Sequence, residues 1–398
     1  MKNIGLLPRL ILGIVFGVLV GLLLPEWTGR LLYTFSSLFG EMLGYVVPLI
    51  IIGFIAPGIA ELGEKAGKLL AGTAGLAYLS TLAAGIVAFF VSLAIIPMII
   101  QGGGASGGET AGLQPFLSLD IPPIMGVMTA LVTAFIFGLG INKLKQEQTR
   151  SNLFGFMEEF RAIVIMVIKN VIIPFLPFHI AGIFANMAAS GEAFRTLTVF
   201  GQVFLLIILM HFGYLLVLYT LAATRAGKNP LKALRNMIPA YTTALGTMSS
   251  AATIPITLRS AKANGVSERI AEFVVPLSAT IHLAGSTITL VACSVAVIVM
   301  GAGSPDFGSF LPFIMLLGVT MIAAPGVPGG AVVAALGLMS SILGFSEAQL
   351  GLMLALYMAQ DGFGTACNVT GDGAIALIID TFSDQQEAKS ISVEVNEI

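Results

Sequence analysis

The chain has 398 residues, 57% of them hydrophobic and only 10% charged, with 19 Lys and Arg against 21 Asp and Glu. Soluble domains carry about 25% charged residues, so a mean hydropathy of +0.97 leaves too little polar side chain to wrap one oily core. That excludes a soluble globular enzyme, a disordered chain and a disulfide scaffold, and a net charge of −2 gives no footprint for nucleic acid. Cys293 and Cys367 both fall in apolar stretches and say nothing about redox compartment. What remains is an all-α polytopic membrane protein.

A bilayer core of about 30 Å takes roughly 20 apolar residues to cross. In chain order, spans are expected at Leu10–Leu24, Leu31–Ala60, Leu69–Ile100, Ile121–Ile141, Ala162–Ala189, Thr196–Ala223, Ile270–Met300 and Leu350–Ile379. The longest of these must tilt or kink. Lys2 and Arg9 before the first run resemble a signal peptide. Pro25-Glu26-Trp27 follows, however, in place of a small-residue cleavage site. The run is therefore expected to be retained, with Trp27 as an interfacial anchor. The linker Gln101–Gln114 is rich in Gly and Ser and reads as an external loop.

Basic residues cluster at Lys2/Arg9, Lys65/Lys68, Lys143 to Arg161, Arg225 to Arg235 and Arg259 to Arg269. With the N-terminus inside, six spans alternate correctly by the positive-inside rule. Then the alternation breaks. Arg225–Arg235 and Arg259–Arg269 both read as cytoplasmic, yet the segment between them centres on Gly246-Thr247-Met248-Ser249-Ser250-Ala251. Gly301–Gly308 and Gly344–Gln349 have no Lys or Arg and both read as external. Between them lies Ala323-Ala324-Pro325-Gly326-Val327-Pro328-Gly329-Gly330. Non-helical backbone at membrane depth is tolerated only inside protein or against a cavity. Two re-entrant hairpins of opposite orientation follow, which with eight spans make the inverted-repeat, broken-helix plan of a secondary transporter.

The last span carries the strongest chemical signal. Asp361, Thr365, Asn368 and Asp372 lie at offsets of 4, 7 and 11 from the first, within roughly 60° of one helix face. Two carboxylates in an apolar span normally mark an ion or substrate pathway, with interhelical hydrogen bonding as the plainer reading. Asn368-Val369-Thr370-Gly371-Asp372-Gly373 also invites loosening of the helix, and freed carbonyls beside Asp372 suit a hard cation.

In the preceding span, Thr280-Ile281-His282-Leu283-Ala284-Gly285-Ser286-Thr287 interrupts the apolar run. His282 there is a candidate proton carrier, or a neutral ring bonded to a carbonyl. His179 and His211 read as structural residues near span ends, and Glu41 as an acid near an interface. Half-helix N-termini at the hairpin tips present N–H groups to a carboxylate, with Ser249 and Ser250 adding hydroxyls. No Lys or Arg occurs between Arg269 and Lys389, so a second substrate carboxylate finds no guanidinium in that region.

These motifs resemble the glutamate transporter family, the dicarboxylate/amino acid:cation symporters, and the chain is similar to a divergent prokaryotic-type member over nearly its full length. The resemblance rests on Gly246–Ala251, on Gly326-Val327-Pro328-Gly329, and on Asp361…Thr365…Asn368-Val369-Thr370-Gly371-Asp372. It implies a homotrimer in the plasma (inner) membrane, both termini cytoplasmic. A scaffold formed mainly by residues 1–224 would hold a mobile transport domain, 225–381, before a cytoplasmic tail, 382–398; the third and sixth spans belong partly to the mobile unit.

The resemblance also implies roles. Asp361 takes the substrate's α-ammonium, and Thr365 and Asn368 line the site. The hairpin-one residues Met248, Ser249 and Ser250 and the hairpin-two tip Gly326–Gly329 hold the carboxylate. Sodium falls to Asp372, Asn368, Ser286, Tyr78 and Thr81, and no other cofactor is implied.

Departures from the family pattern sharpen this. Gly364 stands where members that take acidic substrates keep an arginine, and Met248 where some members place one at the first hairpin tip. His282-Leu283-Ala284-Gly285-Ser286 replaces a signature carrying an amide and a carboxylate, and Ala323 and Ala324 replace hydroxyls. A neutral amino acid is the expected substrate, with an acidic one as the alternative. Either fewer sodium ions are coupled, or a proton on His282 or Asp372 substitutes for one.

Other classes fit less well. An aspartyl protease needs its carboxylates about 3 Å apart, whereas eleven residues of helix separate Asp361 and Asp372 by about 16 Å. A serine hydrolase needs Ser249 or Ser250 against His282. A channel is disfavoured by the paired hairpins.

Overall fold

The computed structural model describes residues 6–62, 68–101, 112–147, 152–191, 193–322 and 328–396, and no strand occurs among them. The helices are α1 (Leu6–Leu23), α2 (Glu26–Leu62), α3 (Lys68–Gln101), α4 (Val127–Glu147), α5 (Asn152–Val167), α6 (Ile173–Ala189) and α7 (Ala193–Arg225). There follow α8 (Pro230–Asn236), α9 (Ile238–Thr247), α10 (Ser250–Ala263), α11 (Glu268–Ile281), α12 (Ala284–Met300), α13 (Phe307–Ile322), α14 (Gly330–Leu343) and α15 (Glu347–Asn396).

Six stretches are each long and apolar enough to cross a membrane: Glu26–Ala60, Leu69–Ile100, Asn152–Ala189, Ala193–Arg225, Glu268–Met300 and Glu347–Ser383. Pro8–Leu23, Phe307–Met321 and Gly330–Leu343 are shorter apolar helices. Such a set, with Leu12, Leu79, Ile136, Leu209 and Leu221 about 60% exposed, describes a multi-pass membrane protein whose outer surface meets lipid rather than water.

Local chemistry explains where the expected spans shift. The fourth, expected from Ile121, begins only at Val127. Pro122-Pro123 supplies no N–H and forces the residue before each ring into extended backbone. The fifth begins earlier than Ala162, at Asn152, and carries a π-helical stretch, Ile168–Ile172, where the Ile173 N–H reaches back to the Ile168 carbonyl. Pro174 lies just beyond and removes one helical donor, a recognised cause of such bulges.

Two packing groups emerge. α1 lies along α6, while α2 runs against α4, α5 and α6. On α1, Gly13, Gly17 and Gly21 lie so close to the carbonyls of Pro177, Ala181 and Ala185 that an added Cβ at any of them would collide. This is the small-residue stripe that lets membrane helices approach closely. The second group is centred on α15, which touches α7, α9, α10, α11 and α12, with α3 against α12 and α13.

Two helix–turn–helix pairs sit where hairpins are expected, α9 with α10 and α13 with α14. The first turns at Met248, a non-glycine in the left-handed region at φ 50°, whose N–H bonds the Ala244 carbonyl. Ser249 then caps α10, its hydroxyl accepting from the Ala252 N–H at 3.3 Å. The second pair re-enters helix through Gly329 at φ 75°, a conformation that costs glycine nothing. Of its expected tip, Ala323, Ala324, Pro325, Gly326 and Val327 lie outside the described residues.

One expectation is overturned. Residues 368–373 do not loosen; α15 is helical throughout that stretch. The reason is burial on every side. Gly371 and Gly373 lack side chains where His282, Met237 and Tyr219 press in, so the glycines admit neighbours without unwinding the helix. The break lies instead in the seventh span, where His282 (φ −108°, ψ 92°) and Leu283 separate α11 from α12.

Candidate functional site

α15 presents its polar stripe to three elements. Asp361 is 4% exposed, and its Oδ2 accepts the Gly329 backbone N–H at 2.7 Å, joining the last helix to the described end of the second hairpin. One residue on, Gly362 meets the first hairpin: a Cβ there would lie 2.7 Å from the Leu245 carbonyl oxygen and 3.5 Å from Met248 Cγ. Both hairpins thus converge on the turn of α15 that carries Asp361.

The middle of the stripe serves the broken helix. Asn368 Oδ1 accepts from the backbone N–H of Gly285 at 2.8 Å and of Ser286 at 3.3 Å. These donors in the first turn of α12 have no partner within that helix. Asn368 Nδ2 donates to Ser286 Oγ at 2.9 Å, as does the Tyr357 hydroxyl at 2.9 Å. Gly364 faces the same place, since a Cβ on it would lie 3.5 Å from Ser286 N and 3.6 Å from Ser286 Oγ. Thr365, between them, is buried.

At the far end, Asp372 Oδ1 lies 3.0 Å from His282 Nδ1, both side chains being all but fully buried. Asp372 Oδ2 has no partner among the described residues. On the other side of the ring, His282 Nε2 is 3.0 Å from the Tyr214 hydroxyl and 3.4 Å from Ser80 Oγ, and those two hydroxyls are 2.7 Å apart. Four elements therefore meet at His282: α15, the α11–α12 break, α7 and α3. Tyr219 adds a hydroxyl donated to the Thr370 carbonyl at 2.8 Å.

The remaining candidates lie elsewhere. Tyr78 donates to the Met315 carbonyl at 3.2 Å, and Thr81 is buried with its hydroxyl unpartnered among the described residues. On α3 it is Ser80, between them, that reaches His282. Ser250 is buried at the start of α10, and Pro328 lies beside Gly329. His179 bonds Ser36 through Nδ1. Glu41 accepts from the Ile121 N–H at 3.3 Å and lines a cavity of about 160 Å³ with Asp120 and Glu347.

Sequence reasoning missed Ser80, Tyr214 and Tyr357 as partners. Tyr357 had a signal, since it extends the polar stripe one turn before Asp361; Ser80 and Tyr214 had none. His211 lies mid-helix rather than at a span end, and its Nε2 is 2.9 Å from the Gly285 carbonyl oxygen, beside the break.

Among the described residues the protein is all-helical, with two buried acids on its last helix facing a broken one, an arrangement in keeping with secondary transporters. The particular family is settled by comparison. The profile described as Sodium:dicarboxylate symporter family matches residues 6–382, and the chain belongs to that family. It is 27% identical over 280 residues to neutral amino acid transporter B(0) of Homo sapiens, covering 69% of this chain and 50% of that protein. To excitatory amino acid transporter 1 of Mus musculus it is 29% identical over 271 residues, 67% of this chain and 48% of the other. The chain spans about half the length of the curated relatives it matches. Family and relatives are transporters, not enzymes.

Proposed function

We propose that the protein is a cation-coupled amino-acid symporter that prefers neutral substrates. The observation that carries this reading is the buried Asp361 carboxylate held by the hairpin-two backbone at Gly329, in a stretch of sequence without Lys or Arg from residue 270 to 388. The substrate's α-ammonium takes Asp361. Its α-carboxylate takes N–H and hydroxyl donors of the hairpin tips, from Met248, Ser249 and Ser250 on one side and Gly326, Val327 and Gly329 on the other, with Pro328, which has no N–H, shaping the second tip. A second carboxylate, buried without a cation, costs several kcal/mol, on the order of the penalty for an unpaired buried ion. Thr365 and Gly364 shape the rest of the site.

The family description implies sodium coupling. Asp372, one turn from Asn368, is the carboxylate of the proposed sodium site, with Asn368 and Ser286 as further oxygen donors; Tyr78, bonded to Met315, and Thr81, unpartnered among the described residues, are not joined to it. The imidazole of His282 against Asp372 supports a proton in place of one sodium ion.

The same reading includes eight spans with two re-entrant hairpins and a homotrimer in the plasma membrane, with cytoplasmic termini. Transport follows from an elevator-like movement of residues 225–381, with parts of α3 and α7, against the scaffold; the packing of α3 and α7 on the α12–α15 group supports that partition. Uptake of a labelled amino-acid panel into proteoliposomes, under separately imposed sodium and proton gradients, tests the reading. Alanine, serine or another neutral amino acid should outcompete aspartate. Tighter aspartate binding would favour the second reading, an acidic substrate, which the likeness to an excitatory amino acid transporter supports.

A further inference from the structure

Between α7, α8, α9 and α15 lies a cleft of about 320 Å³. Its walls are apolar, including Phe212 and Tyr241, whose rings stack with centroids 5.9 Å apart, and Arg235 is the charged residue of its lining. Three apolar residues of that lining are turned outward, Leu231 at 66%, Ile238 at 54% and Phe212 at 50% exposure. Phe212 lies thirteen residues before Arg225 on α7, roughly 20 Å along the helix. The cleft thus joins a basic helix end to apolar side chains deeper in the span.

The charges around it are one-sided. From Arg225 to Lys262 the sequence carries six basic residues and no acidic one. Lys262 is paired with Glu268 and Glu272, and Lys228 is taken by the carbonyls of Asn264 and Gly265. Arg225 stacks on Phe382. Lys232 and Arg235 are exposed and have no carboxylate partner among the described residues. Exposed leucine and isoleucine beside unpaired cations suit the boundary of an anionic bilayer, where acyl chain and headgroup satisfy both at once.

We propose that this cleft is a binding site for an anionic phospholipid, one acyl chain lying between Phe212, Tyr241, Leu231 and Ile238 and the phosphate taken by Arg235 with Lys232. The site borders the coupling region. Thr370 of α15 lines the cleft, and Met237, also in the lining, packs its thioether against Gly373. These two positions flank Asp372. The proposal rests on the membrane setting and not on which amino acid is carried.

The test is thermal unfolding of the full chain in neutral detergent, titrated separately with phosphatidylglycerol, phosphatidylcholine and inorganic phosphate. Phosphatidylglycerol should raise the unfolding midpoint saturably, and the other two should not. Arg235→Gln should weaken the phosphatidylglycerol response about five- to tenfold, the scale of one interfacial cation, with Arg235→Lys restoring most of it. Ile238→Trp, which fills the cleft from its exposed side, should abolish the response, and Arg195→Gln, on the remote end of α7, should leave it unchanged. Should Arg235→Gln fail to fold, as read by its lipid-free midpoint, Lys232→Gln carries the same test. An equal response to phosphatidylcholine, an equal response to phosphate, or an unaltered response in these variants overturns the proposal.

Discussion

Asp361 and Asp372 sit on one helix, on one face, and both are buried, yet they are held in opposite ways. Asp361 takes one bond from outside its own helix, the Gly329 backbone N–H at the edge of a hairpin that turns through glycine, with the Tyr357 and Thr365 hydroxyls of α15 as its other partners. Asp372 is bonded to an imidazole that is itself tied to two further helices. A backbone amide at a turn can be exchanged for an arriving ammonium with little rearrangement, because only the turn has to move. Releasing the imidazole disturbs contacts from α3, α7, α11–α12 and α15 together. On the proposed reading, Asp361 is the acid that exchanges its backbone partner for the substrate, and Asp372 is the acid held in the more extensive frame.

The largest effect separating the two should come from His282→Leu. It leaves the Asp372 carboxylate buried with neither oxygen partnered, a cost of about 3–5 kcal/mol. Chemical or thermal unfolding in detergent should show the loss directly, and a stability within 1 kcal/mol of the parent, on the order of an exposed substitution, would mean that the two ends of α15 do not differ as argued.

Asp361→Asn should do the reverse, leaving the fold intact while weakening amino-acid binding by roughly a hundredfold or more, the scale of a truncated buried charge pair. Isothermal titration alongside an unfolding curve separates the two effects. Near-parental affinity refutes Asp361 as the ammonium partner.

Asn368→Leu removes the acceptor for two N–H groups of α12 and should cost about 1–3 kcal/mol. Hydrogen exchange should report it as loss of protection at Gly285 and Ser286. An unchanged pattern would show that the break is capped by something else.

The smallest change expected is at Tyr214→Phe, which deletes one hydroxyl from the His282 group and should cost about 1 kcal/mol. Paired with Ser80→Ala in a double-mutant cycle, it should show coupling of at least about 0.5 kcal/mol, since the two hydroxyls share a bond.

How much of this was legible in the amino-acid order can be read from particular positions. The polar stripe Asp361–Asp372, the two turns at Met248 and Gly329 and the interruption at His282 are all local: helical period, proline and glycine placement and charge alternation are enough to mark them. The partners are not. Asp372 finds His282 across 90 positions and Tyr214 finds it across 68, and no local pattern sets such pairings, because they follow from which helix faces pack together. The same packing overruled a local signal. Gly371 and Gly373 read as points of weakness, but with His282, Met237 and Tyr219 pressed against them they became points of close approach, and the helix stayed whole. Sequence alone determined the class, the existence of most helices and the polar stripe of the last one. Only tertiary structure decided what each acid faces, because burial turns the choice of neighbour into the dominant energy for a charged group.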